Sequence, residues 1–491
     1  MKILLVSPGT PDTFWSFKHV LPFISKRAAH PPLGLLTVAG MLPREWECRL
    51  VDLNAQELRD EDIQWADHVL LSAMLVQRES VLEIARRCRD AGKPVIAGGP
   101  MFMVESTDEF PDIDTFVIGE AEELIDGLVA DMQADRVGRL YQAEGFPDVT
   151  RTPIPRWDLI RLGDYASMSV QSARGCPFSC EFCDIVELNG RVPRLKTPQQ
   201  LLAELDGLRL RGWHGTTFLV DDNFVGSRKK VKELLHAIIG WRCDTGTKMT
   251  FLTQASVNMA DDPELLRLMA EAGFKKVFLG IETPDAQSLQ ECQKLVNTRG
   301  DLVEAVRTIQ RAGLQVMAGF IVGFDSDKPD IFERQFDFIQ KAGVVTAMVE
   351  LLQGLPRSRL YKRLAREGRL LDDSLVGSAR ARLNFEPKMD RDFLFRKYRE
   401  LVRDLYEPNN YYRRIRTFLE QHRPGGPSSG MGWREFRAFL RSLWMLGVTH
   451  RGRRAYWRFM FSTLRRYPAQ FGLAATLAVY GYHFREVAKG L

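Results

Sequence analysis

Short apolar runs alternate with amphipathic stretches from the first residues on. Met1-Lys2-Ile3-Leu4-Leu5-Val6 stops at the turn signal Ser7-Pro8-Gly9. That run is too short for the core of a secretion signal and reads as a first β-strand. Further apolar runs at Arg49–Asp52, His68–Met74, Pro94–Gly99 and Thr115–Gly119 read as buried strands. Between them the spacing of apolar positions predicts helices at Leu33–Leu42, around Gln56–Trp65 and at Ser80–Ala91. Alternating strand and helix predicts a doubly wound parallel sheet, an α/β fold of Rossmann-like (flavodoxin-like) type. Such sheets bind ligands at the carboxyl ends of their strands. Those ends read Ser7-Pro8-Gly9-Thr10, Ser72-Ala73-Met74-Leu75, Gly98-Gly99-Pro100 and Gly119-Glu120. Small residues there let a large flat ligand reach the backbone, although glycine at such turns is also ordinary turn chemistry.

Pro147, Pro153 and Pro155 mark a linker, and a second β/α series begins near Ser169. Its strands are expected at Met168–Ala173, Thr216–Val220, Met249–Gln254, Lys276–Gly280, Gln315–Gly323 and Ala347–Leu352, with helices such as Pro198–Leu210, Pro263–Ala272 and Leu302–Ala312 between them. Six such units suggest a partial (β/α)6 barrel of TIM type, with its active site at the strand carboxyl ends. Beyond about residue 370 the pattern is helical, basic and aromatic, with a flexible break at Arg423-Pro-Gly-Gly-Pro-Ser-Ser-Gly430. The expected division is a first sheet at 1–140, a linker at 141–165, a barrel at 166–370 and a helical basic region at 371–491.

Composition narrows the class. The chain has 491 residues, 45% hydrophobic and 27% charged, which suits about three globular domains and excludes collagen-like and disordered chains. Seven cysteines are too few and too scattered for a disulfide framework, so a cytoplasmic setting with reduced thiols is expected. The net charge of +5 conceals an asymmetry: residues 411–491 hold 15 Lys and Arg against 3 Asp and Glu. There Trp433, Arg434, Phe436, Arg437, Arg441, Trp444, Arg451, Arg453, Arg454, Tyr456, Trp457, Arg458, Phe459, Arg465 and Arg466 interleave arginines with aromatics. Three readings fit: helices packed on the barrel with a basic outer face, an interfacial helix on an anionic membrane, or a nucleic-acid surface. Tyr467–Phe484 lacks Lys, Arg, Asp and Glu, but Pro468, Gln470, Thr476 and His483 interrupt it, so no spanning helix is expected.

Three of the cysteines bunch in Arg174-Gly175-Cys176-Pro177-Phe178-Ser179-Cys180-Glu181-Phe182-Cys183-Asp184-Ile185. Soft thiolates select zinc, copper(I) or iron–sulfur clusters. A structural zinc wants four protein ligands, and Cys243, His214 and His236 are isolated. Three ligands in one tight loop fit a [4Fe–4S] cluster with one iron left open. The eight histidines, at 19, 30, 68, 214, 236, 422, 450 and 483, show no catalytic spacing.

Cys-x3-Cys-x2-Cys, with an aromatic before the last cysteine, resembles the signature of the radical S-adenosylmethionine (radical SAM) enzymes. Val220-Asp221-Asp222-Asn223-Phe224 ends the second barrel strand, where relatives bind the amino group of SAM. Gly280-Ile281-Glu282-Thr283 and Gly319-Phe320-Ile321-Val322-Gly323-Phe324-Asp325 end the fourth and fifth, which in the family contact its ribose, methionine and adenine parts. The first sheet is similar to the cobalamin-binding domain that precedes many of these barrels. Asn384-Phe385-Glu386-Pro387-Lys388-Met389-Asp390 and Tyr406-Glu407-Pro408-Asn409-Asn410-Tyr411-Tyr412 resemble the helical extension of a subfamily that includes the hopanoid methylases.

The resemblance implies that Cys176, Cys180 and Cys183 hold the cluster. It implies that Phe182, Asp222, Asn223, Glu282, Gly319 and Gly323 bind SAM, and that Pro8, Gly9, Thr10, Ser72, Met74, Leu75, Gly98, Gly99 and Glu120 bind cobalamin. No catalytic residue beyond the cofactor ligands is implied. The implied reaction is methylation of an unactivated carbon through a 5′-deoxyadenosyl radical and methylcobalamin. The alternative on the same architecture is a rearrangement, cyclisation or oxidation. A transfer-RNA methylthiotransferase would need three more cysteines in its first domain, whereas only Cys48 and Cys88 precede the loop. A sensor that holds cofactors without turnover would not need the polar strand ends at Asp222 and Glu282. The implied partners are a small-molecule or lipid-like substrate, a low-potential electron donor such as flavodoxin or ferredoxin, and peripheral membrane contact through the basic region; no nucleic acid is expected. Departures are equally plain. The Asp-x-His-x-x-Gly motif that donates a histidine to cobalt is absent, so no lower ligand is assigned. Gln254 stands where relatives carry an acidic residue, and Leu355-Pro356-Arg357-Ser358 replaces a Pro-Gly-Thr-like turn.

Overall fold

Six strands, β1 (Lys2–Ser7), β2 (Glu47–Asp52), β3 (His68–Ser72), β4 (Val95–Gly98), β5 (Thr115–Ile118) and β6 (Leu140–Gln142), form a parallel sheet in the order β2-β1-β3-β4-β5-β6 in the computed structural model. It describes residues 1–371, 383–423 and 433–491, the side chains of 433–436 excepted; the expected break at 423–430 falls, after Arg423, outside the described residues. Ile3, Leu4, Leu5 and Val6 expose none of their surface, because a parallel sheet flanked by helices buries both faces of its central strands. The order reverses between β1 and β3, and the crevice above that switch point is where such sheets bind ligands. The short edge strand β6 has two exposed residues of three, so no apolar run announces it.

The second sheet runs β14-β13-β12-β11-β10-β7, again wholly parallel. Its members are β7 (Met168–Val170), β10 (Thr216–Leu219), β11 (Thr250–Ala255), β12 (Phe274–Glu282), β13 (Gln315–Val322) and β14 (Thr346–Leu351). The edges β7 and β14 do not pair, which leaves a partial barrel of six β/α units. A small antiparallel pair, β8 (Ala173–Arg174) with β9 (Arg194–Leu195), stands beside its first strand. The helices start where the sequence can satisfy free amide groups. Thr197 accepts from Gln200 N–H ahead of Pro198, Asp262 from Leu265 N–H ahead of Pro263, and Asp301 from the N–H groups of Val303 and Glu304.

Helices Arg391–Tyr406, Pro408–Gln421, Trp433–Trp444, Arg453–Arg466 and Phe471–Lys489 complete the chain. They share one apolar core with the barrel. Arg414 is fully buried: its guanidinium donates to the carbonyls of Leu405 (2.9 Å) and Val345 (3.3 Å) and lies over the rings of Tyr406 and Tyr411. The last helix also reaches the loop after β1. His483 Nε2 lies 3.2 Å from the Phe14 carbonyl, and Phe14 and Phe17 pack on Phe484 at 5.8 and 5.9 Å.

Candidate active site

The three expected ligand cysteines lie on one loop between β8 and the short helix Ile185–Asn189, at the carboxyl end of the barrel. Gly175 precedes them at φ +96, where a β-carbon would come within 2.9 Å of the carbonyls of Asn189 and Gly190. Only glycine fits that turn. Its N–H donates to Asp222 Oδ2 at 2.7 Å, and Asn189 Nδ2 donates to the same oxygen at 2.9 Å. Cys176 N–H closes on the Gly190 carbonyl at 3.1 Å, and Cys183 N–H on that of Cys180 at 3.2 Å. The rear of the loop is clamped by Cys292, whose carbonyl accepts from Glu181 N–H at 2.8 Å, and by Arg363, which bonds the Glu181 carboxylate.

Burial pushes the Cys183 thiol up to about 12 and raises Cys180, against the pull of the nearby Lys294 ammonium. Among the described residues no three His, Cys, Asp or Glu side chains converge on a single metal ion. A cubane cluster asks for something else: each thiolate binds its own iron, so the sulfurs stand apart around it. Three soft donors on a pinned loop beside a buried cation fit that group.

The polar strand ends gather around this loop. Asp221 is fully buried and accepts from the N–H groups of Ser172 (2.7 Å) and Ala173 (3.0 Å); burial lifts its carboxyl to about 6. Asp222, expected at SAM, is thus occupied in holding Gly175 and Asn189. Asn223 is buried, with its amide 3.9 Å from Cys176 Sγ and 3.3 Å from Ser256 Oγ. Glu282 follows a bulge in β12 with φ +66, a strained conformation for a non-glycine residue. Asn297 holds that strand end by donating to the carbonyls of Gly280 (3.0 Å) and Ile281 (2.9 Å). Lys294 Nζ meets Glu282 Oε1 at 3.0 Å. Burial works against the Lys294 charge, but Glu282 and the Cys180 thiol outweigh it and hold the ammonium above the usual lysine range. A β-carbon on Gly280 would strike both Glu282 and Lys294, and one on Gly319 would press the Phe278 ring at 3.1 Å. Gly280 and Gly319 let Glu282, Lys294 and Phe278 close up against the backbone of β12 and β13, on the less buried face that also carries Ile321. Gly323, at φ +105, donates its N–H to Asp327 at 2.8 Å. Phe182 meets Phe324 edge to face at 6.2 Å. Gln254 is half-buried, and its carbonyl accepts from Phe224 N–H.

Lys294, Asn297 and Glu350 escaped sequence reasoning. Glu350 stands on β14 beside Ile321, on the face that also carries Gly319. Its side chain is exposed, and its carboxylate accepts a bond from the Trp15 indole N–H. Trp15, from the loop after β1, also covers Phe278 at 4.6 Å between ring centres.

On the first sheet the expected residues line the crevice edge. The Pro8 carbonyl accepts from Gln77 Nε2 at 2.7 Å, Gly9 N–H donates to Ser80 Oγ at 2.9 Å, and Thr10 N–H to Asn54 Oδ1 at 2.9 Å. Met74 N–H donates to Gln77 Oε1 at 2.9 Å, so Gln77 ties the β1 and β3 ends together, a role no motif announced. The Met74 side chain is exposed and Leu75 half-buried. A β-carbon on Gly99 would strike Ser72 Oγ at 2.6 Å, and one on Gly98 would come within 3.2 Å of the Val117 carbonyl. The two glycines thus let the ends of β3, β4 and β5 pack closely against one another. Glu120 is paired with Arg174, which leads into the cysteine loop, and with Arg194. Glu122 joins it, 2.7 Å from Arg174 and 2.9 Å from Thr152 Oγ1.

Three family models match successive stretches of the chain. The B12 binding domain family matches residues 24–129, the radical SAM superfamily residues 170–365, and a domain of unknown function (DUF4070) residues 358–491. An uncharacterized methyltransferase of Synechocystis sp. is 40% identical over 100% of this chain and 93% of its own length. The hopanoid C-2 methylase of Rhodopseudomonas palustris is 35% identical over 95% of this chain and 90% of its own. Among solved structures, the radical S-adenosylmethionine methyltransferase TsrM of Kitasatospora setae, with cobalamin and a [4Fe-4S] cluster bound, shares the fold at 15% identity. Its TM-score is 0.62, over 94% of this chain and 98% of that one.

Proposed function

We propose a substrate class and a set of residue roles for a chain that belongs to the radical SAM superfamily, in the group of methyltransferases that carry a B12 binding domain ahead of the radical SAM domain. Its cofactors are a [4Fe–4S] cluster, SAM and cobalamin, and its activity is cobalamin-dependent methyl transfer. When bound, they supply a 5′-deoxyadenosyl radical that opens an unactivated C–H bond and a cobalt-borne methyl group that replaces the hydrogen.

The observation that carries the reading is the pinned three-thiol loop, joined by Arg174 to the B12-binding sheet. Cys176, Cys180 and Cys183 would each take one iron and leave the fourth for SAM. Asp222 acts through the loop, holding Gly175 and Asn189 in place. Asn223 and the Glu282–Lys294 pair present polar groups beside the thiols for the amino-acid and ribose parts of SAM, and Phe182, Gly319 and Gly323 leave a flat slot for its adenine. Pro8, Gly9, Thr10, Ser72, Met74, Leu75, Gly98 and Gly99 bear on the corrin. Glu120 contributes by orienting Arg174 and Arg194. Trp15, Phe278 and Ile321 line the barrel face that carries Gly319 with apolar surface, and Glu350 is its polar handle. That lining favours a lipid-like substrate with one hydrogen-bonding end. A flavodoxin or ferredoxin would deliver the electron. The setting is cytoplasmic, with the basic helices in peripheral contact with a membrane; among the described residues no helix is long and apolar enough to cross one. The division at 1–140, 141–165, 166–370 and 371–491 belongs to the same reading.

The test is anaerobic purification with added cobalamin, quantitation of iron, sulfide and corrin, and an assay for 5′-deoxyadenosine and for methyl transfer from labelled SAM. One cluster and one corrin per chain, with label in a lipid fraction, is the expected result. Deoxyadenosine without label transfer would move the chain to a rearrangement or oxidation.

A further inference from the structure

We propose that the outer face of the C-terminal helices is a docking surface for an anionic lipid bilayer. Leu440, Trp444 and Val448 follow one another at four-residue spacing along Trp433–Trp444 and the turn Met445–Thr449, and all three are exposed, Trp444 by 65%. Phe461, also 65% exposed, and Leu464 form a second stripe on Arg453–Arg466. Trp457 joins the stripes: its Nε1 donates to the Gly447 carbonyl at 2.9 Å and its ring stacks on Phe461 at 5.7 Å. Isolated surface hydrophobics are ordinary, but an extended apolar strip marks an interaction site.

The charge around the strip names the occupant. Residues 433–470 hold nine arginines and one glutamate. Arg451, Arg453, Arg454, Arg458, Arg465 and Arg466 are exposed, and none pairs with a carboxylate among the described residues. Arg416 beneath them is depressed by burial and by the charges of Arg466 and Arg458, so the patch holds uncompensated positive charge. A nucleic-acid duplex would use the arginines and leave the apolar strip wet, a single strand would stack on Trp444 and Phe461 but leave Leu440, Val448 and Leu464 uncovered, and an apolar partner protein would leave the arginines unpaired. A bilayer of anionic lipid satisfies both, with phosphates for the guanidinium groups and acyl chains for Trp444, Phe461 and the leucines. This inference rests on the peripheral contact proposed above and specifies its face and lipid charge; because it is read without turnover, it stands apart from the methyl-transfer reading.

The experiment is cosedimentation of the full-length holoenzyme with vesicles of phosphatidylcholine alone or mixed with phosphatidylglycerol. Circular dichroism and cluster absorbance confirm that each variant is folded and loaded. Wild type should partition to the mixed vesicles and hardly to pure phosphatidylcholine. R454Q/R458Q/R465Q should bind about a hundredfold more weakly, and W444S/F461S about tenfold. Absence of wild-type binding would overturn both this inference and the peripheral contact. Unchanged binding by both variants would overturn the face alone. Loss in the arginine variant only, with transfer RNA competing, would make the patch a polyanion site, and conversion of a dimer to a monomer by W444S/F461S would assign the strip to a second copy of the chain.

Discussion

Arg174, two residues before the first cysteine of the loop, grips Glu122 of the neighbouring domain at 2.7 Å. Both side chains are nearly buried, and Glu120 shares the same guanidinium. The strand that leads into the cysteine loop is therefore held by the sheet that matches the B12 binding domain family. Two domains contribute to the position of one loop.

Replacing Glu122 tests that clasp. Burial works against the Glu122 charge, but Arg174 outweighs it and holds the carboxyl below its ordinary range. Glu122→Gln should cost about 2 kcal/mol in denaturant unfolding and speed amide exchange at Gly175 and Cys176. Unaltered exchange there would mean that the clasp does not order the loop.

Gly175→Ala meets two carbonyls at 2.9 Å and a left-handed backbone. The variant should lose most of its iron while keeping its corrin, since the first sheet is untouched. Metal and corrin analysis of the purified protein checks it, and a full iron content would refute the pinned-loop account.

Single alanines at Cys176, Cys180 or Cys183 should each abolish the cluster absorbance and deoxyadenosine formation. Cys292→Ala, which keeps the carbonyl that clamps Glu181, should retain both. A cluster lost equally from that variant would assign Cys292 a ligand's role.

Lys294→Met removes the cation beside Cys180 and Cys183 and leaves Glu282 buried without a partner. Positive charge favours the reduced cluster, so the midpoint potential should fall by roughly tens of millivolts, read by spectroelectrochemical titration. An unchanged potential would place the ammonium outside the cluster's field.

Acid should loosen the contact between the last helix and the loop after β1. Burial holds His483 near a pKa of about 4, so the folded chain keeps it neutral where the unfolded chain binds a proton. Its contribution is full above pH 6.5, declines as pH falls from 6.5 to 4, and is flat below 4, a loss of about 3 kcal/mol at the lower end. The Tm measured across that range should fall, and fall less steeply in His483→Gln. Parallel curves would exclude His483 as the titrating group.

Features written in short runs of the sequence were legible: the bunched cysteines of the 174–185 loop and the strand–helix alternation that orders both sheets. Pairings made by folding were not. Arg174 meets Glu120 across 54 residues and Arg194 meets it across 74, and no local spacing encodes such a match. Asp222 read as a cofactor contact because its motif ends a barrel strand; only the folded chain gives its oxygen to Gly175 and Asn189. Strands β6 and β9 were too short to show a period.

Trp15 reaches Phe278 from a loop seated by His483, and the residues that make that seat are 469 positions apart. At the ordinary pace of ribosomal synthesis, Phe14 leaves the ribosome roughly half a minute to a minute and a half before His483 exists. Until His483 and its helix are made, the loop that carries Trp15 lacks this seat, and its place over Phe278 is fixed last.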